Sequence, residues 1–240
     1  MAGQIARGIL SVVLVRVRKD FFRVKKYDLV MKKLINLETN PIPERMKALK
    51  QTPLKEGLVM TLHTINFMKD INAETLVGLQ GAALQAVSQG ASELHIHVSC
   101  LGGSTDAGFT AFQFIRALPI PVTMHCIGNI ESMGVIIFLA ADTRKAVPDS
   151  KFKIHELAWT LNGTVNHSRL AEFVKSLDFD RDRYATIFHE RTQGAQNPLN
   201  IDTHLRGDAK LLTATEALRC GLATEICEAS IVSSATKWWV

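Results

Sequence analysis

Twice in this chain a strand pattern runs into a glycine-bearing turn and leaves it as a helix pattern. That repetition confines the fold to an α/β sheet. In the first copy Leu94-His95-Ile96-His97-Val98 alternates apolar and polar residues, as a half-buried strand does. The turn Ser99-Cys100-Leu101-Gly102-Gly103-Ser104 follows. Ala107, Ala111, Phe112 and Ile115 then share one helical face, with Ser104 as the cap and Arg116 at the end. Pro119 and Pro121 stop that helix and open the second copy. Val122 to Ile127 is its strand, Gly128-Asn129-Ile130-Glu131-Ser132-Met133-Gly134 its turn, and Val135 to Ala141 its almost wholly apolar helix. Functional groups in such sheets gather in the loops beyond the strand ends, where both turns lie.

The flanking sequence extends the pattern. Leu58 to Leu62 reads as a strand. Asn72 caps a helix with Leu76, Leu79, Ala83, Leu84 and Val87 in phase, and Gly90 closes it. After the second copy, Arg144 to Val147 is a strand and Pro148-Asp149-Ser150 a turn. Lys151-Phe152-Lys153-Ile154-His155 alternates again, which sets His155 at a strand end. Ser168 to Gln193 predicts a long helix closed by Gly194. Its length suggests that it projects or pairs with a second subunit. Ala214 to Cys220 is a short helix before a last strand, and 230–240 reads as a tail with Trp238 and Trp239 exposed or on a partner.

Charge divides the chain. Residues 1–50 hold 12 Lys/Arg against 4 Asp/Glu, and residues 51–240 hold 16 against 19. With Pro41, Pro43 and Pro53 marking a linker, this predicts a basic, partly disordered extension over 1–56, a body over 57–228 and a tail over 229–240. A basic arm attracts nucleic acid or anionic lipid, but a solvated extension is the simpler reading, and no nucleic-acid partner is expected. The run Ile9 to Val15 is short for a signal segment and has no cleavage pattern after it. No stretch reaches the roughly 18 apolar residues of a membrane span. The four cysteines form no C-x-x-C pair and read as reduced core thiols, which points to the cytoplasm.

The second turn carries the chemistry of interest. A serine at a helix start becomes a nucleophile when a histidine takes its proton and an acid fixes the ring. Free backbone N–H groups at a helix start or glycine turn then hold the oxyanion. Ser132, His155, Met133 and Gly102 are candidates for these parts. The local pattern leaves a simple helix cap open for Ser132. It is not a G-x-S-x-G elbow, because Ile130 replaces the first glycine. His95 and His97 share a strand face, but no third ligand at suitable spacing makes them a metal site.

Four segments in order resemble the proteolytic subunit of the ATP-dependent Clp protease. They are Ser99–Ser104 with Ala107-Gly108, Cys126–Gly134 with Ala140-Ala141, Pro148–His155, and Leu212-Thr213-Ala214-Thr215-Glu216-Ala217 with Gly221-Leu222. The resemblance covers about 57–228. It implies the spiral α/β fold shared with crotonases, built of repeated β-β-α units with a long handle helix. It implies a serine endopeptidase with Ser132 as nucleophile, His155 as base, and the N–H groups of Gly102 and Met133 as oxyanion hole. It also implies stacked homo-oligomeric rings that enclose the sites and take peptide or unfolded protein from an AAA+ unfoldase. No cofactor belongs to this chain; ATP is the unfoldase's.

Three departures stand out. Leu101 replaces the family's usual proline, and Glu131 puts a charge beside the nucleophile. Aligning on Leu212-Thr213 sets Ala209 where the catalytic aspartate belongs. Asp208, one position away, is the expected acid, with Asp202 as the alternative. Other readings follow: a catalytically impaired structural subunit, a Ser–Lys pair using Lys151 or Lys153, and a crotonase-type acyl-CoA enzyme that uses the same oxyanion hole.

Overall fold

The computed structural model describes residues 61–161 and 163–240. By its contacts the chain divides between Leu58 and Val59. The extension read over 1–56 lies outside the described residues, as does most of the strand read at Leu58 to Leu62.

The body opens with β1 (Leu62–Phe67), α1 (Ala73–Ser88), β2 (Glu93–Cys100), α2 (Thr105–Arg116) and β3 (Val122–Glu131). Then come α3 (Met133–Leu139), β4 (Thr143–Ala146), β5 (Lys151–Ile154) and the long α4 (His167–Arg191). α5 (Ile201–His204), β6 (Lys210–Thr213), α6 (Ala214–Arg219), β7 (Glu225–Ile226) and β8 (Thr236–Trp239) complete it. Each helix start has a chemical reason. Asn72 and Thr75 form a reciprocal capping box on α1, Ser104 Oγ accepts from the Ala107 N–H on α2, and Thr213 and Glu216 box the start of α6.

Among the described residues one sheet runs β6-β5-β3-β2-β1-β8, with β4 and β7 branching from β3. All pairs are parallel except β5–β6. The sheet forks at β3. Thr123 to Cys126 pairs with β4, whereas Asn129 to Glu131 pairs with β5. A register break between Val98 and Cys100 lets β3 run on past β2's partners. The nucleophile candidate therefore stands at the tip of the longest strand, held on one side by the β2 turn and on the other by β5.

The core lies between the sheet and its helices. Ile65, Leu94, Ile96, Met124, Ile130 and Phe152 from the strands meet Leu79, Phe109 and Phe138 from the helices, all buried. α3 is buried along its whole length, as its apolar sequence requires. Two arginines grip its far end. Arg191 donates to the Leu139 and Ala141 carbonyls, and the buried Arg144 donates to carbonyls of Ala141, Leu222, Gly221 and Arg191. Burial, with Arg191 nearby, lowers the Arg144 guanidinium to about 10. Positive charge at a helix C-terminus complements its dipole.

Three elements differ from the sequence reading. β1 runs over 62–67, because Thr64 and Asn66 are buried on a covered sheet face and break the apolar count used to find it. β3 continues through Gly128-Asn129, which the sequence marks as turn. The tail over 229–240 contains β8, which adds to the sheet beside β1, and Trp238 Nε1 donates to His63 Nδ1 at 3.3 Å. Trp239 is exposed.

Candidate active site

Ser132 has φ 52° and ψ −127°, the only positive φ among the described non-glycine residues. That region costs an L-residue on the order of 1–3 kcal/mol and persists only where the surroundings enforce it. Here they do. The Ser132 N–H donates to the Lys153 carbonyl at 2.9 Å, and the Tyr184 hydroxyl on α4 donates to the Ser132 carbonyl at 3.1 Å. Tyr184 is buried, which pushes its phenol up and keeps it a donor. The Ser132 side chain makes no capping bond to α3, so the simple-cap reading does not hold.

The first glycine turn closes on this serine. A Cβ placed on Gly102 would lie 2.6 Å from Ser132 Cβ and 3.2 Å from its Oγ. Only glycine tolerates that approach, at a φ of 103° that other residues rarely adopt. The turn is fixed by two backbone bonds to Ile71: its N–H donates to the Gly102 carbonyl at 2.7 Å, and the Ser104 N–H donates to its carbonyl at 2.8 Å. The Gly102 N–H rests on Cys100 Sγ at 3.4 Å, a weak acceptor. Burial raises the Cys100 thiol to about 11, so it stays neutral. The Met133 N–H opens α3 with no backbone partner among the described residues.

His155 follows β5 and is half-buried. Its Nδ1 lies 2.8 Å from the Glu156 carbonyl oxygen. A carbonyl only accepts, so Nδ1 carries the hydrogen of this contact, and in the neutral ring the lone pair is then on Nε2. Among the described residues no hydrogen bond joins Ser132 Oγ to the ring.

No carboxylate reaches His155 either. Asp208 is exposed, and it is its backbone carbonyl that accepts from His204 Nδ1 at 3.0 Å. Asp202 faces His189 Nε2 at 3.3 Å. The antiparallel ladder ends where Ile154 pairs with Lys210, and Ala209 is the residue just before Lys210. The charge of Glu131 is answered locally by Lys151 Nζ at 2.8 Å. That bond occupies one lysine of the Ser–Lys alternative.

A cleft of about 740 Å³ begins at the glycine turn, lined by Gly103, Asp106, Trp159, Leu161, Arg169 and Phe173 among others. It lies between the start of α2, the segment after His155 and the start of α4. Trp159 meets Phe173 edge-on at 6.0 Å, and the Arg169 guanidinium sits 5.3 Å from the Phe173 ring centre.

Away from this site, His95, His97 and His125 cluster on one sheet face, with ring centres 6.4 and 6.1 Å apart along the series. His125 was not singled out from sequence; its register beside His97 brings it in. Among the described residues no group of three His, Cys, Asp or Glu is disposed to hold a metal. Cys100, Cys126 and Cys220 are free and buried, and Cys227 is free and half-buried. No described helix is long and apolar enough to cross a membrane.

A model of the Clp protease family matches residues 54–230. The chain belongs to the Clp protease family. The ATP-dependent Clp protease proteolytic subunit of Deinococcus radiodurans is 29% identical over 138 residues, 57% of this chain and 65% of that protein. The alignment thus spans just under two thirds of this relative's length. Among solved structures, a mutant of ClpP1 from Listeria monocytogenes matches with a TM-score of 0.60, 22% identity, and coverage of 70% of this chain and 92% of that one. At that identity the likeness is one of fold: the mixed α/β fold of the Clp protease family.

Proposed function

We propose that this chain is a serine endopeptidase of the Clp proteolytic-subunit type. The observation that carries this reading is the strained Ser132 turn, clamped between Tyr184 and Gly102 with the Met133 amide, unpartnered among the described residues, beside it. Strain of this kind points to function when the surrounding structure enforces it.

In the proposed reaction Ser132 Oγ bonds to the scissile carbonyl carbon as its proton passes to His155 Nε2. The carbonyl oxygen takes the electron pair and lies against the Gly102 and Met133 N–H groups. Collapse breaks the C–N bond, and the leaving amine takes the proton from Nε2. Water then attacks the Ser132 ester by the same route and restores the hydroxyl. The Ser132–His155 bond this requires forms with substrate, as is common where the unliganded site is loose. The substrate is unfolded protein, laid as peptide along the cleft from Gly103 towards Phe173. As in the family, the subunits stack as homo-oligomeric rings in the cytoplasm, and an AAA+ unfoldase spends the ATP.

Ala209 supports a second reading, a ring-building subunit with little or no catalysis. Peptide-coumarin hydrolysis by the assembled chain separates the two. The peptidase reading expects turnover that Ser132→Ala and His155→Ala abolish. Turnover unchanged by either variant, or no turnover at all, sinks it.

A further inference from the structure

We infer that the Glu156 backbone carbonyl fixes the tautomer of His155, one of the two tasks of a triad carboxylate, leaving a Ser–His pair with the acid position at residue 209 empty. This rests on the peptidase reading and names the positioning group of that same site.

Three observations meet here. First, the 2.8 Å contact from His155 Nδ1 to the Glu156 oxygen leaves Nε2 as the only nitrogen able to accept the Ser132 proton. Holding that tautomer is one of the two tasks of a triad acid. The contact is formed within two consecutive residues, so it needs no distant partner. Second, the β5–β6 ladder ends at Ile154 and Lys210, and the residue preceding Lys210 is Ala209, whose methyl group supplies no acid. Third, nearby carboxylates have other fates. Asp202 faces His189, Glu131 faces Lys151, and Asp208 presents its carbonyl rather than its carboxylate to His204.

The acid's other task goes undone. When Nε2 takes the proton, the ring becomes a cation, and a neutral carbonyl stabilises it less than a carboxylate does. Charge-assisted hydrogen bonds are roughly twice as strong as neutral ones. The chain is therefore a correctly aimed but slow hydrolase. Its deficit is smaller than the ~10⁴-fold seen where loss of the acid leaves the wrong tautomer.

The test combines kinetics with ¹⁵N NMR of the histidines in the full-length assembled chain. His155 is expected in the Nδ1–H form. Ala209→Asp should raise kcat by at least ~10-fold with KM little changed, and Ala209→Asn, of the same shape without the charge, should not. Residue 209 is exposed, so both variants are expected to fold. Asp208→Asn should leave kcat within about twofold. An Nε2–H tautomer in an active parent overturns the inference alone, as does a large loss of kcat in Asp208→Asn. A chain silent both before and after Ala209→Asp overturns the peptidase reading together with the empty acid position.

Discussion

Ser132 shows how a single residue can be held against its own preference. Its φ of 52° is stabilised from outside by the Lys153 carbonyl, the Tyr184 hydroxyl and the close face of Gly102. Substitution should separate strain from chemistry. Ser132→Ala keeps the Cβ and the strain, whereas Ser132→Gly removes both. Ser132→Gly is expected to be more stable than Ser132→Ala by about 1 kcal/mol in urea unfolding, although both lack the hydroxyl. Equal stability would mean that the backbone relaxes once the hydroxyl is gone. At Gly102 the constraint runs the other way. Any Cβ collides with Ser132, so Gly102→Ala should cost both stability and turnover, measured as a lower Tm and a kcat/KM reduced by at least ~10².

At the scale of elements, α4 ties the site to the rest of the body. Its buried residues begin only at Asp180, and Leu170, Val174 and Phe179 before that point are exposed. The inner end carries Tyr184, whose hydroxyl orients the Ser132 carbonyl. Tyr184→Phe removes that bond while keeping the ring. It should cost about 1 kcal/mol in chemical denaturation and lower kcat more than it raises KM. The elements that make the site were legible to different degrees. β2 and β5 alternate strictly because one face of each is covered by helices, and so both His155 and the first turn could be placed. The extension of β3 was hidden, since Gly128-Asn129 reads as a turn by composition. Tertiary pairing with β5 overrode that preference. β8 was hidden too: four residues beyond a polar segment carry no periodicity, and pairing with β1 creates the strand. That Ala209 falls at the family's acid position was visible in the sequence, through the resemblance at Leu212-Thr213. The carbonyl that takes over the ring was not, because a backbone contact leaves no mark on residue type.

The whole molecule adds a pH dependence. Cross-strand register lines up Asn66, His97, His125 and Lys145 on one sheet face, with His95 adjacent. His97 donates from Nδ1 to the Asn66 side-chain oxygen at 3.3 Å, and His125 from Nε2 to the Cys227 carbonyl at 3.1 Å. Burial holds His95, His97 and His125 below the ordinary histidine value of 6.5, and the three rings repel one another once charged. Glu93, Lys145, Glu225 and Glu228 are the charged groups acting on them. The unfolded chain therefore binds protons more readily than the folded one. Their contribution is intact above about pH 6.5 and drains away as pH falls below it. Tm should drop between pH 7.5 and pH 5, and the double variant His97→Gln, His125→Gln should flatten that slope. A parent Tm that is level across this range would show that the rings are wet in solution.

The proposed chemistry turns on one atom, Ser132 Oγ. Treating the full-length, oligomeric protein with a fluorophosphonate and mapping the adduct by peptide mass spectrometry tests it directly. The account predicts one phosphonylated peptide, modified at Ser132, lost in Ser132→Ala and strongly slowed in His155→Ala. An adduct on a different serine, or none on a correctly assembled chain, would contradict it.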